Sequence, residues 1–280
     1  TSTGSSGGLD IREIRRLYLR NTRISENTSN GDNGGARIRY IQYATITDLV
    51  VEDNYSNGSY PVGEWYINGA GIFRNITLRN NVGGNNSNHS FRFRQEGWND
   101  PAPNSPITFY NLQLTGNVTQ SWPSMYIDGS TQVSLVNSLV SDNTSRNTSD
   151  WYQKGNIAIS DNTHLRLLNS IVTKNNGLSI IGNGCGTSNV SARYSVIEGG
   201  AAAIKNESCG TNPTLTKTVG ANVITTAPYF VDRANGDYRL ANFASSIGAG
   251  RVTADVGPAG AIKTLTAPTV DIENGARPNP

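Results

Sequence analysis

Short apolar segments recur along the chain at nearly fixed distance from asparagine. "SLVNSLVSDN" at 134–143 returns as "RLLNSIVTKN" at 166–175. Taking the Asn of "VNS" as position zero aligns Asn21, Asp48, Asn75, Asn111, Asn137, Asn169 and Tyr194. Two residues earlier stand Leu19, Ile46, Phe73, Phe109, Leu135, Leu167 and Ala192; three later stand Ile24, Val51, Leu78, Leu114, Val140, Val172 and Ile197. Six later stand Asn27, Asn54, Asn81, Asn117, Asn143, Asn175 and Gly200. The intervals, 25 to 36 residues, suit a solenoid in which each repeat is one coil. With short strands and no amphipathic helix between them, the pattern predicts an all-β fold, a right-handed parallel β-helix of seven or more coils. Coils would rise by about 4.8 Å, the spacing of hydrogen-bonded strands, so that like side chains stack. The zero Asn is expected at a bend, where Asn tolerates unusual backbone angles and stacked amides can bond along the axis. Tyr194 is expected to end that ladder.

A second strand set precedes each match: "RIRYIQY", "EWYING", "FRFRQ", "MYIDG", "NIAISDN", "LSIIGN" and "AAAIKN". Variable stretches, such as "QEGWNDPAPNSP" at 95–106, would project from one edge. In "LDIREIRRLYL", Asp10 and Glu13 have capping-box spacing, so 1–16 reads as an extension or cap: a short helix or, preferably, an irregular first coil. Coils are assigned to 17–212, a fold-back cap to 213–261 and a linker or extended arm to 262–280. Val50, Leu139, Ile171, Val196, Val136 and Leu168 would form an outward apolar stripe. Part of Pro213–Ala261 is expected to cover it, or else the chain self-associates through Leu139, Ile171 and Val196 or through its coil ends.

Composition fits this picture. Of 280 residues, 34 are Asn, 30 are Gly and only 16% are charged, with net charge +2. No basic face of the kind nucleic acid needs is apparent, and no apolar run approaches the roughly 18 residues of a membrane span. The polar start "TSTGSSGG" shows no leader, so the chain is read as cytosolic, already processed, or a piece of a longer protein. Cys185 and Cys209 lie 24 residues apart, near one period. Aligning "IIGNGC" with "AIKNESC" stacks them, so a Cys185–Cys209 disulfide is expected, and with it an extracellular or cell-surface location. Two reduced, buried thiols are the alternative.

The segment from Ala227 to Ala261 resembles the end of secreted bacterial right-handed β-helix proteins of the pectate-lyase-like superfamily, with a choice-of-anchor type of C-terminal tail. The matching elements are Pro228 to Asp232, Asp237 to Leu240, Ser245 to Gly250, and Asp255 with Gly257. "DVGPAG" stands where that family usually shows "DIGAYE". The resemblance implies a secreted or surface protein, and its wider fold includes enzymes of polysaccharides. Fold alone gives no activity.

Candidate chemistry is sparse. The chain has two His, His89 and His164, and no His/Cys/carboxylate cluster that marks a metal site. A hydrolase would need paired carboxylates, for which Asp128, Asp161, Asp53 and Glu96 are candidates, with Asn68 and Arg94 as neighbours of Asp128. A lyase would need cations and a base; Arg37, Arg39, Arg92 and Arg94 share the second strand set. An acidic cluster for Ca²⁺ is not evident, and no cofactor is expected. These charges also fit a solvated strand face. Trp65, Trp98, Trp122, Trp151 and Tyr152 fall in or beside loops and are candidates for a sugar-stacking rim, with loop packing as the plainer reading. The leading expectation is an extracellular structural, adhesive or glycan-binding β-helix without catalysis. A polysaccharide lyase or glycoside hydrolase, and a self-assembling subunit, are the alternatives.

Overall fold

The structure, a computed structural model, describes residues 6–95, 105–129, 131–147, 155–174, 178–182, 186–206, 214–271 and 275. The chain winds into a parallel β-solenoid of about seven turns. Three strand rows run along its axis. Face one contains Leu9–Arg12, Ala36–Ile41, Gly63–Ile67, Phe91–Arg94, Met125–Asp128, Ile157–Ile159, Ile180–Gly182 and Ile204–Asn206. Face two begins with the long strands Arg16–Ser25, Tyr43–Glu52, Gly71–Arg79 and Ile107–Thr115 and continues through Gln132–Val136, His164–Leu168, Thr187–Arg193 and Thr214–Val219. Face three is a row of two-residue strands from Thr28–Ser29 to Thr144–Ser145.

The two aliphatic columns stack as the repeat requires. Leu19, Ile46, Phe73, Phe109, Leu135, Leu167 and Ala192 are successive partners in parallel register. So are Ile24, Val51, Leu78, Leu114, Val140, Val172 and Ile197. All but Leu19 are buried in one continuous core. Its middle is aromatic: Trp65, Phe73, Phe91, Phe93 and Phe109 interlock, with Phe73 and Phe109 stacked at 4.5 Å and Trp65 edge-on to Phe91 at 4.8 Å.

The zero column makes the bend. All seven residues have positive φ, from 48° at Asn21 to 55° at Asn111. Left-handed backbone costs most L-residues about 1–2 kcal/mol, and Asn or Asp less, which explains six of the seven identities. Tyr194 keeps the same bend at φ 49°, but the amide bonds of this column link Asp48, Asn75 and Asn111, and then Asn137 and Asn169, and stop short of it, as its side chain suggested. Five residues on, a second left-handed column turns the chain toward face three: Glu26, Asp53, Asn80, Gly116 and Asp142.

The continuous amide ladder belongs to the second asparagine. Asn27, Asn54, Asn81 and Asn117 each donate from Nδ2 to the Oδ1 of the next coil's Asn at 2.9–3.0 Å. Each Oδ1 from Asn54 to Asn143 also accepts the preceding Asn's backbone N–H. From Asn54 to Asn143 the ladder is buried; Asn143 then donates to Asn156, and Asn175 lies outside the described residues.

Both termini differ from the sequence reading. The 1–16 segment contains no helix among its described residues: Leu9–Arg12 pairs in parallel with Ala36–Arg39 as a regular first rung. The solenoid passes the expected boundary at 212, because Thr214–Val219 pairs with Thr187–Ala192. Phe230–Asp232 and Asp237–Leu240 then form a hairpin whose tight turn is capped by Asp232 and closed by Gly236 at φ 79°. This hairpin is the "PYFVD…DYRL" element. A second hairpin, Thr253–Val256 with Lys263–Thr266, straddles the expected start of the arm at 262 and packs Val256 and Leu265 on Val136 and Leu168. Asn169 clasps this tail, donating to the Arg251 carbonyl at 2.7 Å and accepting from its N–H at 2.9 Å. The tail therefore covers the stripe at Val136 and Leu168. Val196 is buried and bridged to Ile224, so it offers no surface for self-association; Leu139 and Ile171 are half-buried.

Candidate functional site

Alternation along face one sends Ile38, Trp65, Phe91, Phe93, Met125 and Ile127 inward and their neighbours outward. Parallel register stacks the outward residues. One column runs Asp10, Arg37, Glu64, Arg92 and Tyr126, alternating in sign over its first four members. The next includes Tyr66, Arg94 and Asp128. Opposite charges on adjacent rungs attract where like charges would repel, so the pattern stabilises the face.

Arg92 is the hub. It grips Asp128 through Nη2 at 2.6 Å and Nε at 3.4 Å, and reaches Glu64 Oε1 at 3.3 Å and the Tyr60 hydroxyl at 3.2 Å through Nη1. Glu64 also pairs with Arg39 and accepts from the Tyr66 hydroxyl at 2.5 Å. Arg94 lies 3.9 Å from Asp128. Burial pushes the Asp128 carboxyl up, against the pull of Arg92. Burial works against the Arg92 cation too, but the Asp128 contact prevails and holds it protonated. Burial also raises Tyr66 and Tyr126. The side chains of Glu64 and Asp128 are 1% and 3% exposed, whereas those of Arg39, Arg92 and Arg94 are 18–32% exposed. The carboxylates lie beneath and the guanidinium edges face solvent.

Beside this row is an aromatic shelf. The His89 ring stacks on Tyr126 at 4.2 Å and more distantly on Tyr60 at 6.4 Å, with Trp122 tilted against it at 5.1 Å. Its Nδ1–H donates to the Pro123 carbonyl at 3.1 Å, leaving the lone pair on Nε2. Burial lowers the His89 pKa to about 3, so the ring is neutral. Trp122 has φ 114°, a strained angle for a large side chain of the kind that collects at working surfaces. Tyr60, Trp122 and Tyr126 are each half-buried. The Tyr126 hydroxyl donates to Ser160 Oγ at 2.8 Å, and Ser160 donates to Asp161 at 3.1 Å.

The structure thus joins Arg92, Arg94 and Asp128, with Trp122 nearby. Tyr66, not Asn68, is the register neighbour of Arg94. Asp161 is exposed and reaches the group only through Ser160. Asp53 is an exposed bend residue. Trp65 is not a rim residue: it is fully buried against Phe73 and Phe91, because it occupies the inward position of its strand. Trp98, Trp151, Tyr152, Glu96, Cys185 and Cys209 lie outside the described residues, and the disulfide with them. Glu64, Tyr66 and Tyr126 were missed. Stacking "EWYI", "FRFR" and "MYID" in register would have found them.

As chemistry, the buried carboxylates of the row, Glu64 and Asp128, are already held by arginines. Glu64 and Asp128 sit two rungs apart, and both carboxylates close on the Arg92 guanidinium between them, at 3.3 Å and 2.6 Å. A glycosidase needs that space for a water or sugar ring. No group of three or more His, Cys, Asp or Glu poised to hold a metal occurs among the described residues, and none of their helices is long and apolar enough to cross a membrane. The chain matches no known family model, no curated protein and no solved structure.

Proposed function

We propose that this chain is an extracellular or cell-surface β-helix that binds glycan without transforming it, in an adhesive or structural role. The observation that carries the reading is the half-buried Tyr60–Trp122–Tyr126 shelf beside a row of guanidinium edges whose carboxylates are buried. Aromatic faces pack on the apolar faces of sugars, and arginine forks bind their hydroxyl and acid groups. The tail's resemblance to secreted β-helix proteins supports the location. A glycan array run beside reducing-end and unsaturated-product assays tests the proposal. Binding is expected, with Trp122→Ala and Tyr126→Ala each weakening it at least tenfold and no new ends formed. New reducing ends would replace this reading with a hydrolase, and unsaturated product with a lyase. Head-to-tail assembly is less favoured: exposed Arg16, Arg20 and Arg23 rim one end, and exposed Lys205 and Lys217 rim the other.

A further inference from the structure

Under the second tail hairpin lies a group of donors with no counter-charge. The outward residues of face two three positions before the bend form a register column that includes Ser134, Arg166 and Ser191. Arg166 is 3% exposed, yet it meets only neutral acceptors: Gln132 Oε1 at 3.3 Å and the Ala261 carbonyl at 3.0 Å. Its Nε–H is buried without an acceptor, and the buried hydroxyls of Ser134 and Ser191, one rung to either side, also lack partners. Two residues before Arg166 on the same face, His164 accepts at Nε2 from the Asn189 amide at 3.1 Å. A neutral His164 therefore carries its proton on Nδ1, which is likewise buried and unpartnered.

The hairpin adds a second cation. Lys263 pairs directly with Val256, whose side chain is fully buried against the sheet, so Lys263 shares that inner face. Asp255 is directed to the outer face, where Thr264 donates to it at 2.6 Å. Burial lowers the pKa of both Arg166 and Lys263, and the repulsion of Arg166 lowers Lys263 further. Among the described residues neither forms an ion pair. Buried cations are ordinarily paired, since an uncompensated charge is among the costliest things to bury.

We propose that the seam between the 253–266 hairpin and the Ser134–Arg166–Ser191 column binds an oxyanion: a sulfate, phosphate or carboxylate group. Arg166 and Lys263 supply charge, and the Ser134, Ser191 and His164 donors supply direction. The site is separate from face one, and its occupancy ties the tail to the solenoid.

The test is calorimetric titration of the whole chain with sodium sulfate and, separately, sodium phosphate, at constant ionic strength in chloride buffer. Parallel melting curves are recorded. Saturable binding with a raised melting temperature is expected, and Lys263→Met should weaken it at least tenfold while Trp122→Ala leaves it unchanged. Arg166→Gln should abolish it. If that variant does not fold, Lys263→Met, at a half-buried position, decides alone. A sulfated or uronate oligosaccharide titrated alongside identifies the source: tighter binding than the free ion assigns the anion to a glycan, weaker binding to a free ion. Absence of saturable binding in every arm would overturn the proposal, as would equal binding by wild type and Lys263→Met. A higher melting point for Lys263→Met without anion dependence in either protein would also overturn it, leaving only a bare buried charge.

Discussion

Replacing Asn81 by Ala tests whether the buried amide ladder holds the coils together. Asn81 is fully buried and its side chain makes five hydrogen bonds. Nδ2 donates to the Val51 carbonyl at 3.0 Å, the Arg79 carbonyl at 2.9 Å and Asn117 Oδ1 at 2.9 Å. Oδ1 accepts from Asn54 N–H at 3.1 Å and from Asn54 Nδ2 at 2.9 Å. Not all of these are lost outright. Asn117 Oδ1 still accepts the Asn81 N–H, the Arg79 carbonyl still accepts from Asp53, and Asn54 Nδ2 keeps the Ile24 and Glu52 carbonyls. The Asn54 backbone N–H is left without an acceptor in the buried ladder. An orphaned buried donor costs about 1–3 kcal/mol, and the remaining lost bonds add about 0.5–1.5 kcal/mol each with partial compensation. The expected loss is about 3–5 kcal/mol. Asn81→Asp should cost more, since it turns the donor into an acceptor facing three oxygens and buries a charge. Asn27→Ala, at the half-buried end of the ladder, should cost about 1 kcal/mol, and exposed Asn30→Ala almost nothing. Urea unfolding followed by circular dichroism, with equal m-values required across the series, measures this gradient. If Asn81→Ala lost less than 1 kcal/mol, or no more than Asn27→Ala, the ladder would be a consequence of the stack rather than a cause of it.

The stack was legible because it is periodic. Leu135 and Leu167 occupy equivalent places in sequence and are register partners in space, and the bend needs a residue that tolerates positive φ, which Asn and Asp announce. The second bend column was hidden because its members are chemically mixed: Glu26, Asp53, Asn80, Gly116 and Asp142 share only a backbone angle. Reading Trp65 as a loop residue ignored the alternation of "EWYI", which pairs Trp65 with Ile38 and Phe93 on the inward side. At the N-terminus, the capping-box spacing of Asp10 and Glu13 lost to the edge of a sheet: Leu9–Arg12 gains a full ladder of hydrogen bonds by joining Ala36–Arg39, which outweighs a local helix preference. The face-one charge grid was half visible, in its arginines and Asp128; Glu64 emerged only once register was known. The donors under the tail were not legible at all. They meet through a contact between Arg166 and Ala261, 95 residues apart and outside any repeat.

Two further substitutions separate local from distant effects. Asn169→Ala forfeits the left-handed bend at φ 49°, the 3.1 Å bond to Asn137 and both bonds to Arg251; a loss of about 2–3 kcal/mol is expected, with faster proteolysis within 241–252 and an intact solenoid, while Asn169→Gly should recover the share due to the bend. His89 predicts a pH dependence. Its folded pKa, about 3, lies below the ordinary value of 6.5, so between these limits the unfolded chain binds the extra proton. The stability this group contributes is therefore complete above pH 6.5 and drains as pH falls toward 3, by about 5 kcal/mol in all and about 3 kcal/mol by pH 4. His89→Phe keeps a ring between Tyr126 and Tyr60 but loses the bond to the Pro123 carbonyl. It should be less stable than wild type at pH 7 by about 1 kcal/mol and more stable at pH 4, so that the two stability curves cross. Taking the difference between the proteins cancels the titration of the carboxylates elsewhere. Curves that ran parallel from pH 7 to pH 4 would mean that the buried imidazole accepts its proton in place, and the neutral aromatic shelf beside Arg92 would have to be abandoned.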